Sequence, residues 1–145
     1  MGIQAAGKST FYRERFFDTH VRINLDMLRT RQREDLLLAA CLQGKQPFVI
    51  DKTSPAASGR ARYIELARAN GFRITAYFFD TSLKDAIRRN SQRVGKQKIP
   101  VPAIAATQKR LEAPAWAEGY DEIFTVTISL EGEFVVKPVA SSHEP

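Results

Sequence analysis

Gly2-Ile3-Gln4-Ala5-Ala6-Gly7-Lys8-Ser9 fits the phosphate-binding loop pattern G-x-x-x-x-G-K-[ST]. The two glycines let the backbone curl so that successive N–H groups face phosphate oxygens, and the helix that follows adds the positive end of its dipole. Lys8 would reach the β- and γ-phosphates and Ser9 would hold Mg²⁺. Gly2, Gln4, Ala5, Ala6, Gly7, Lys8, Ser9 and Thr10 are therefore the expected nucleotide-binding residues. Such loops hang from the end of a buried apolar strand, and only Met1 precedes Gly2. The first central strand is thus expected to be missing or truncated. Either residues upstream of Met1 are omitted, or another segment, the C-terminal hairpin or a neighbouring chain, fills the gap.

Downstream of the loop, apolar runs of strand length alternate with helical periodicity. A helix is predicted from Ser9 to about Asp18, then a strand over Val21–Leu25. One helix over Asp26–Gln43 stops at Gly44, a strand covers Pro47–Asp51, and Pro55 opens a helix through Asn70 with Gly71 ending it. A strand over Phe72–Phe79 is followed by a helix capped by Thr81 or Ser82, which runs towards Gly95. Residues 96–102 break the pattern before a helix to about Glu112. Ile123–Ile128 reads as a strand that turns at Glu131-Gly132 and returns through Phe134–Val136, ahead of a polar tail over residues 139–145. This predicts one α/β domain over residues 1–138, a mainly parallel sheet flanked by helices, with ligands at the C-terminal strand ends.

Composition bounds the partners. At 145 residues with 43% apolar content the chain is long enough for one real core. It has no apolar run approaching the ~18 residues of a membrane span, so no membrane partner is expected. Cys41 is the only cysteine, which rules out an internal disulfide and points weakly to a cytoplasmic location. A net charge of +6 suits polyanions, and the basic residues cluster at Arg29, Arg31 and Arg33 and again at Arg88, Arg89 and Arg93. His20 and His143 have no paired metal-site spacing, and Trp116 is expected to pack rather than stack on a base.

Asp26 and Asp51 each follow an apolar strand directly, so a parallel sheet delivers both carboxylates to the edge that carries the phosphate loop. Asp51, behind Phe48-Val49-Ile50, is placed to steady the Mg²⁺ shell, and Asp26 to accept a proton from an attacking hydroxyl. The competing role for either is a helix cap or strand-end turn. Arg89 and Arg93, four residues apart on a predicted helix, share a face and form the expected basic lid over the nucleotide. The competing role there is a solvated basic face.

With these residues in place the chain resembles the kinase domain of the 5′-polynucleotide kinase family, phage and mammalian. The likeness runs from Gly2 to about Ile128. Besides the loop it rests on Asn24-Leu25-Asp26, on Val49-Ile50-Asp51-Lys52-Thr53-Ser54-Pro55 and on Arg60-Ala61-Arg62-Tyr63. Further on it includes Arg88-Arg89-Asn90-Ser91-Gln92-Arg93, Ile99-Pro100-Val101-Pro102, and Leu111-Glu112-Ala113-Pro114 with Glu118-Gly119-Tyr120. The resemblance implies a P-loop kinase that uses ATP and Mg²⁺ to phosphorylate a 5′-hydroxyl of DNA or RNA. Lys8, Ser9, Arg89 and Arg93 would act on the donor, Asp26 as general base, Arg29 on an acceptor phosphate and Asp51 beside the metal. Lys52 and Ser54 depart from it, standing where mammalian relatives carry Asn. Two other functions stay open: a zeta-toxin-like or small-metabolite kinase with the same donor machinery, and a non-catalytic nucleotide or nucleic-acid binder.

Overall fold

Strand–helix alternation produces an α/β fold whose sheet is divided in two. A computed structural model describes residues 1–141; the end of the expected tail, with His143, lies outside the described residues. The elements are α1 (Lys8–Arg15), β1 (Val21–Ile23), α2 (Leu25–Leu28), α3 (Arg31–Gln43), β2 (Phe48–Ile50) and α4 (Ala57–Ala69). They continue through β3 (Thr75–Phe79), α5 (Leu83–Ser91), α6 (Val101–Arg110), β4 (Glu122–Ile128) and β5 (Phe134–Pro138). Strands β1 and β2 form a parallel pair with Ile23 opposite Ile50. In the second sheet β3 runs parallel to β4, and β5 returns antiparallel on the far side of β4. No helix among the described residues is long and apolar enough to cross a membrane.

Each sheet has its own core. Ile23, Leu38, Cys41, Leu42 and Tyr63 pack around β1 and β2, whereas Ile3, Ala6, Phe11, Phe79, Ala86, Ile104 and Val126 pack around the three-stranded sheet. The phosphate loop belongs to the second core through Ile3 and Ala6. Met1 and Gly2 link the halves. The Met1 amine donates to Tyr77 O (2.9 Å), Phe79 N donates to Met1 O (2.9 Å), and Gly2 N donates to Thr53 O (3.0 Å) just past β2. Behind this single strand-like residue a cavity of about 390 Å³ opens between β2 and β3, lined by Phe11, Phe48, Ile64, Tyr77 and Phe79 among others. The space between β2 and β3 is thus an apolar slot. The C-terminal hairpin does not fill it, because β5 adds to the outer edge of β4. Burial pushes the Met1 amine down to about 5, with the Lys8 charge acting in the same direction. A neutral amine at pH 7 follows.

Local chemistry moves several predicted boundaries. The single helix expected over 26–43 is two, α2 and α3. Arg29 turns to φ 75° and Thr30 caps α3 by accepting from Arg33 N, which breaks the backbone although apolar spacing continues across it. Gly44 stays right-handed, and Lys45 takes the left-handed turn at φ 53°. Helix α4 starts two residues after Pro55, and β3 is confined to its last five predicted residues. Ser82, not Thr81, caps α5. Glycine is required at position 2, where φ is 152° and a Cβ would lie 2.8 Å from the Phe79 Cβ.

One buried ion pair fastens the segment ahead of β4 to α4. Arg60, 3% exposed, makes a forked bond to Glu118 (Nε–Oε1 2.8 Å, Nη2–Oε2 3.0 Å). Its Nη1 donates to Ser54 O and Glu112 O and reaches Met1 Sδ at 3.2 Å. Removing one partner of such a pair leaves an uncompensated buried charge. Glu118→Ala should lower the unfolding free energy by about 3–5 kcal/mol, read from urea denaturation. A loss below about 1 kcal/mol would mean that solvent reaches Arg60 readily.

Candidate functional site

The loop folds as its glycines direct. Gly7 caps α1 at φ 96°, and Ala5, a non-glycine, also takes a positive φ of 61°. Ile3, Ala5 and Ala6 are buried, so the backbone amides between them are held by core packing rather than by solvent. Gln4 ties the loop to α6 by donating Nε2 to Thr107 Oγ1 (3.0 Å), while its Oε1 is buried without a hydrogen-bond partner. Lys8 curls back over its own loop and donates to Gly2 O (2.9 Å) and Ile3 O (2.7 Å). Burial is the main reason its ammonium falls to about 8; Asp51 opposes the shift and the Arg93 charge adds to it. Thr10 is exposed on α1.

The parallel pairing of β1 and β2 brings Asp51 to the loop, as its position after an apolar strand predicts. Asp51 is 5% exposed, its N–H bonded to Ile23 O (2.9 Å), and Ser9 Oγ donates to its Oδ2 at 3.4 Å. A hydroxyl beside a carboxylate offers the hard oxygen donors that Mg²⁺ takes, so these two residues fit the expected ion. Arg22, which sequence reasoning did not single out, shares the same pair. Its Nε donates to Asp51 Oδ2 (2.7 Å) and its Nη2 to Ser9 Oγ (2.9 Å). Strand alternation was the available signal: Val21 and Ile23 pack on the β1–β2 core, which turns Arg22 to the opposite face.

At the end of β1 the cap is Asn24. Its Oδ1 accepts from Met27 N (2.8 Å), and its Nδ2 donates to Asp51 O (2.9 Å), joining the ends of both strands. Asp26 is therefore relieved of the capping role. Its carboxylate is exposed and makes no hydrogen bond or ion pair with any described residue. Arg29 is likewise exposed, at the left-handed end of α2. Lys52, by contrast, turns away from the metal edge to Tyr63 (2.8 Å) and to Glu34 at 3.8 Å.

The basic lid differs in detail from its predicted form. Helix α5 ends at Ser91, so Arg93 lies beyond it, held by an N–H bond to Asn90 O (3.0 Å) rather than on the Arg89 face. Gln92 caps the helix there, and the i,i+4 argument does not apply. Arg93 acts electrostatically on Lys8, and Arg89 Nη1 is buried without a hydrogen-bond partner. Asn90, 1% exposed, pins the far end of the lid by exchanging two bonds with Ile99 (2.6 and 2.8 Å). Arg88 faces Asp85 instead (3.4 Å).

A buried loop carrying Lys8, with the Arg93 charge acting on that ammonium, suits an anionic ligand such as a polyphosphate. An anion arriving at Lys8 favours its charged form and raises its affinity for a proton. Nucleotide binding at about pH 9 should therefore be accompanied by proton uptake that disappears at about pH 6.5, where Lys8 is already charged. Calorimetry in buffers of different ionisation enthalpy reads this directly, and Lys8→Met should abolish it. Equal uptake at both pH values would place the proton elsewhere.

The same residues have a family context. The model of the AAA domain family matches residues 29–114, more than half of the 145-residue chain. The match takes in α3, β2, Asp51, α4, β3, the lid arginines of α5 and its C-terminal side, and α6; the phosphate loop lies ahead of it. The chain thus belongs to the AAA domain family, a P-loop NTPase-like family whose members include kinases.

Proposed function

We propose that this protein is a kinase that transfers the γ-phosphoryl group of ATP to a 5′-hydroxyl of DNA or RNA. The observation that carries the reading is the division of labour at the end of β1, where Asn24 takes the cap and leaves the Asp26 carboxylate uncommitted. A carboxylate with no structural task, on the strand edge that also presents Asp51, is available to receive a hydroxyl proton. Lys8, Arg89 and Arg93 bind and orient the donor phosphates and offset the charge that develops on the transferred group. Ser9 and Asp51 would hold Mg²⁺, which would supply positive charge to offset that of the donor phosphates.

A polymeric acceptor is supported by the surface next to this edge. A hollow of about 660 Å³ is lined by Arg31, Lys52 and Arg62, with Asp35 and Tyr63, beside the turn that follows β2. Arg29 precedes Arg31 by two residues, so the basic stretch runs from the Asp26 helix into the hollow. Arg31, Lys52 and Arg62 are paired there with Glu34 and Asp35, so the support for a strand acceptor rests on the exposed Arg29 beside Asp26.

The test is transfer of labelled γ-phosphate from ATP to a 5′-hydroxyl oligonucleotide, using the chain as it stands and with an apolar strand fused ahead of Met1. Transfer should weaken steeply as salt rises. Asp26→Asn should cost about 10²–10⁴-fold in turnover while nucleotide affinity is kept. Arg93→Ala should cost about 10²–10³-fold. Undiminished turnover in Asp26→Asn would remove it as the base. Transfer to small alcohols alone, indifferent to salt, would point to a metabolite kinase, and nucleotide binding without any transfer to a binding protein.

A further inference from the structure

The guanidinium of Arg22 lies between the two groups best suited to a divalent ion. It bonds the buried Asp51 carboxylate at 2.7 Å and the Ser9 hydroxyl at 2.9 Å, and these two oxygens are themselves 3.4 Å apart. The placement is built into the fold. Arg22 is the middle residue of a three-residue strand, paired opposite Val49, and its neighbours Val21 and Ile23 are committed to the core. Its guanidinium also sits 5.9 Å from the centre of the Tyr12 ring, and Tyr12 is fixed by donating its hydroxyl to His20 O (2.7 Å). A planar, permanently charged fork bonding two acceptors at once is a strong competitor for a carboxylate.

We infer that Arg22 is a resident cation of the Ser9–Asp51 pair, and that Mg²⁺ enters only when Arg22 releases Asp51. The inference rests on the nucleotide-site reading but not on the identity of the acceptor. Arg22 occupies Asp51 Oδ2, the oxygen that faces Ser9, so Arg22 and an ion held between Ser9 and that oxygen exclude one another there. Charge balance in the free protein explains why the exchange is needed: Asp51 is 5% exposed, with Lys8 engaged on loop carbonyls, and Arg22 supplies its directly bonded countercharge. Arg22 is thus a positioning residue whose release frees both Ser9 Oγ and Asp51 Oδ2 for the ion. Metal affinity of the free protein is lowered by the fraction of molecules in which Asp51 is open.

Two measurements test this on the whole chain. Mn²⁺ binding to the nucleotide-free protein, followed by electron paramagnetic resonance, should tighten by about tenfold or more in Arg22→Gln relative to wild type, with Arg22→Lys in between. Asp51→Asn should abolish the difference. In wild-type protein labelled at arginine, the Arg22 Nε–H resonance should be protected from exchange and lose that protection when Mg²⁺ is added with ADP. This second readout does not depend on the variants folding. Equal Mn²⁺ affinity in wild type and Arg22→Gln, or an Arg22 resonance unmoved by Mg²⁺ and ADP, would overturn the inference. ADP binding in EDTA separately checks the nucleotide site, so its failure is distinguishable from that of the Arg22 exchange.

Discussion

Backbone bonds from Met1 and Gly2 join the two sheets, and the geometry of the site depends on that seam. On one side the Met1 amine and carbonyl pair with Tyr77 and Phe79; on the other Gly2 pairs with Thr53. The loop is thereby fixed at both ends, upstream by these bonds and downstream by Phe11 of α1 in the second core. Between β2 and β3 the apolar slot forfeits some of the dispersion contacts that a close-packed interior makes. The seam is therefore narrow relative to the halves that it joins.

The chemistry straddles the same seam. Lys8, Ser9, Arg89 and Arg93 are carried by the half built on β3, β4 and β5, whereas Arg22, Asp26, Arg29 and Asp51 are carried by the half built on β1 and β2. The contacts among Arg22, Ser9 and Asp51 cross between the halves. They reinforce the backbone seam with charge. Exchange of Arg22 for a metal ion would keep a cationic link across the halves while freeing the guanidinium.

Much of this was legible in the sequence, for identifiable reasons. The loop has a fixed spacing, and β1, β2 and the β4–β5 hairpin are short apolar runs bounded by acids or turns. What escaped were features set by contacts between distant elements. Arg22 reads locally as a solvent-facing strand residue, and only the register of β1 against β2 and the approach of α1 bring it to Asp51 and Ser9. The break at Arg29–Thr30 was masked by apolar spacing that continues through it, although Thr30 is a favourable cap. Arg93 was placed on the helix because nothing in Gln92 marks an end; the pairing of Asn90 with Ile99 closes the segment there.

The slot also bears on which property of a kinase of this form is most sensitive. Nucleotide binding draws mainly on one half, where the loop amides, Lys8 and the lid arginines are held by a single core. In the proposed reaction, phosphoryl transfer would also need Asp26, which the other half carries, and an acceptor beside it. A reacting pair must approach to within roughly 3–3.5 Å, and a misplacement of about 1 Å can cost 10²-fold in rate. Relative motion of the halves about Met1 and Gly2 would therefore lower turnover far more than nucleotide affinity. A segment filling the space between β2 and β3 would act in the opposite sense, stiffening the seam and raising the rate while leaving the phosphate loop's own contacts unchanged.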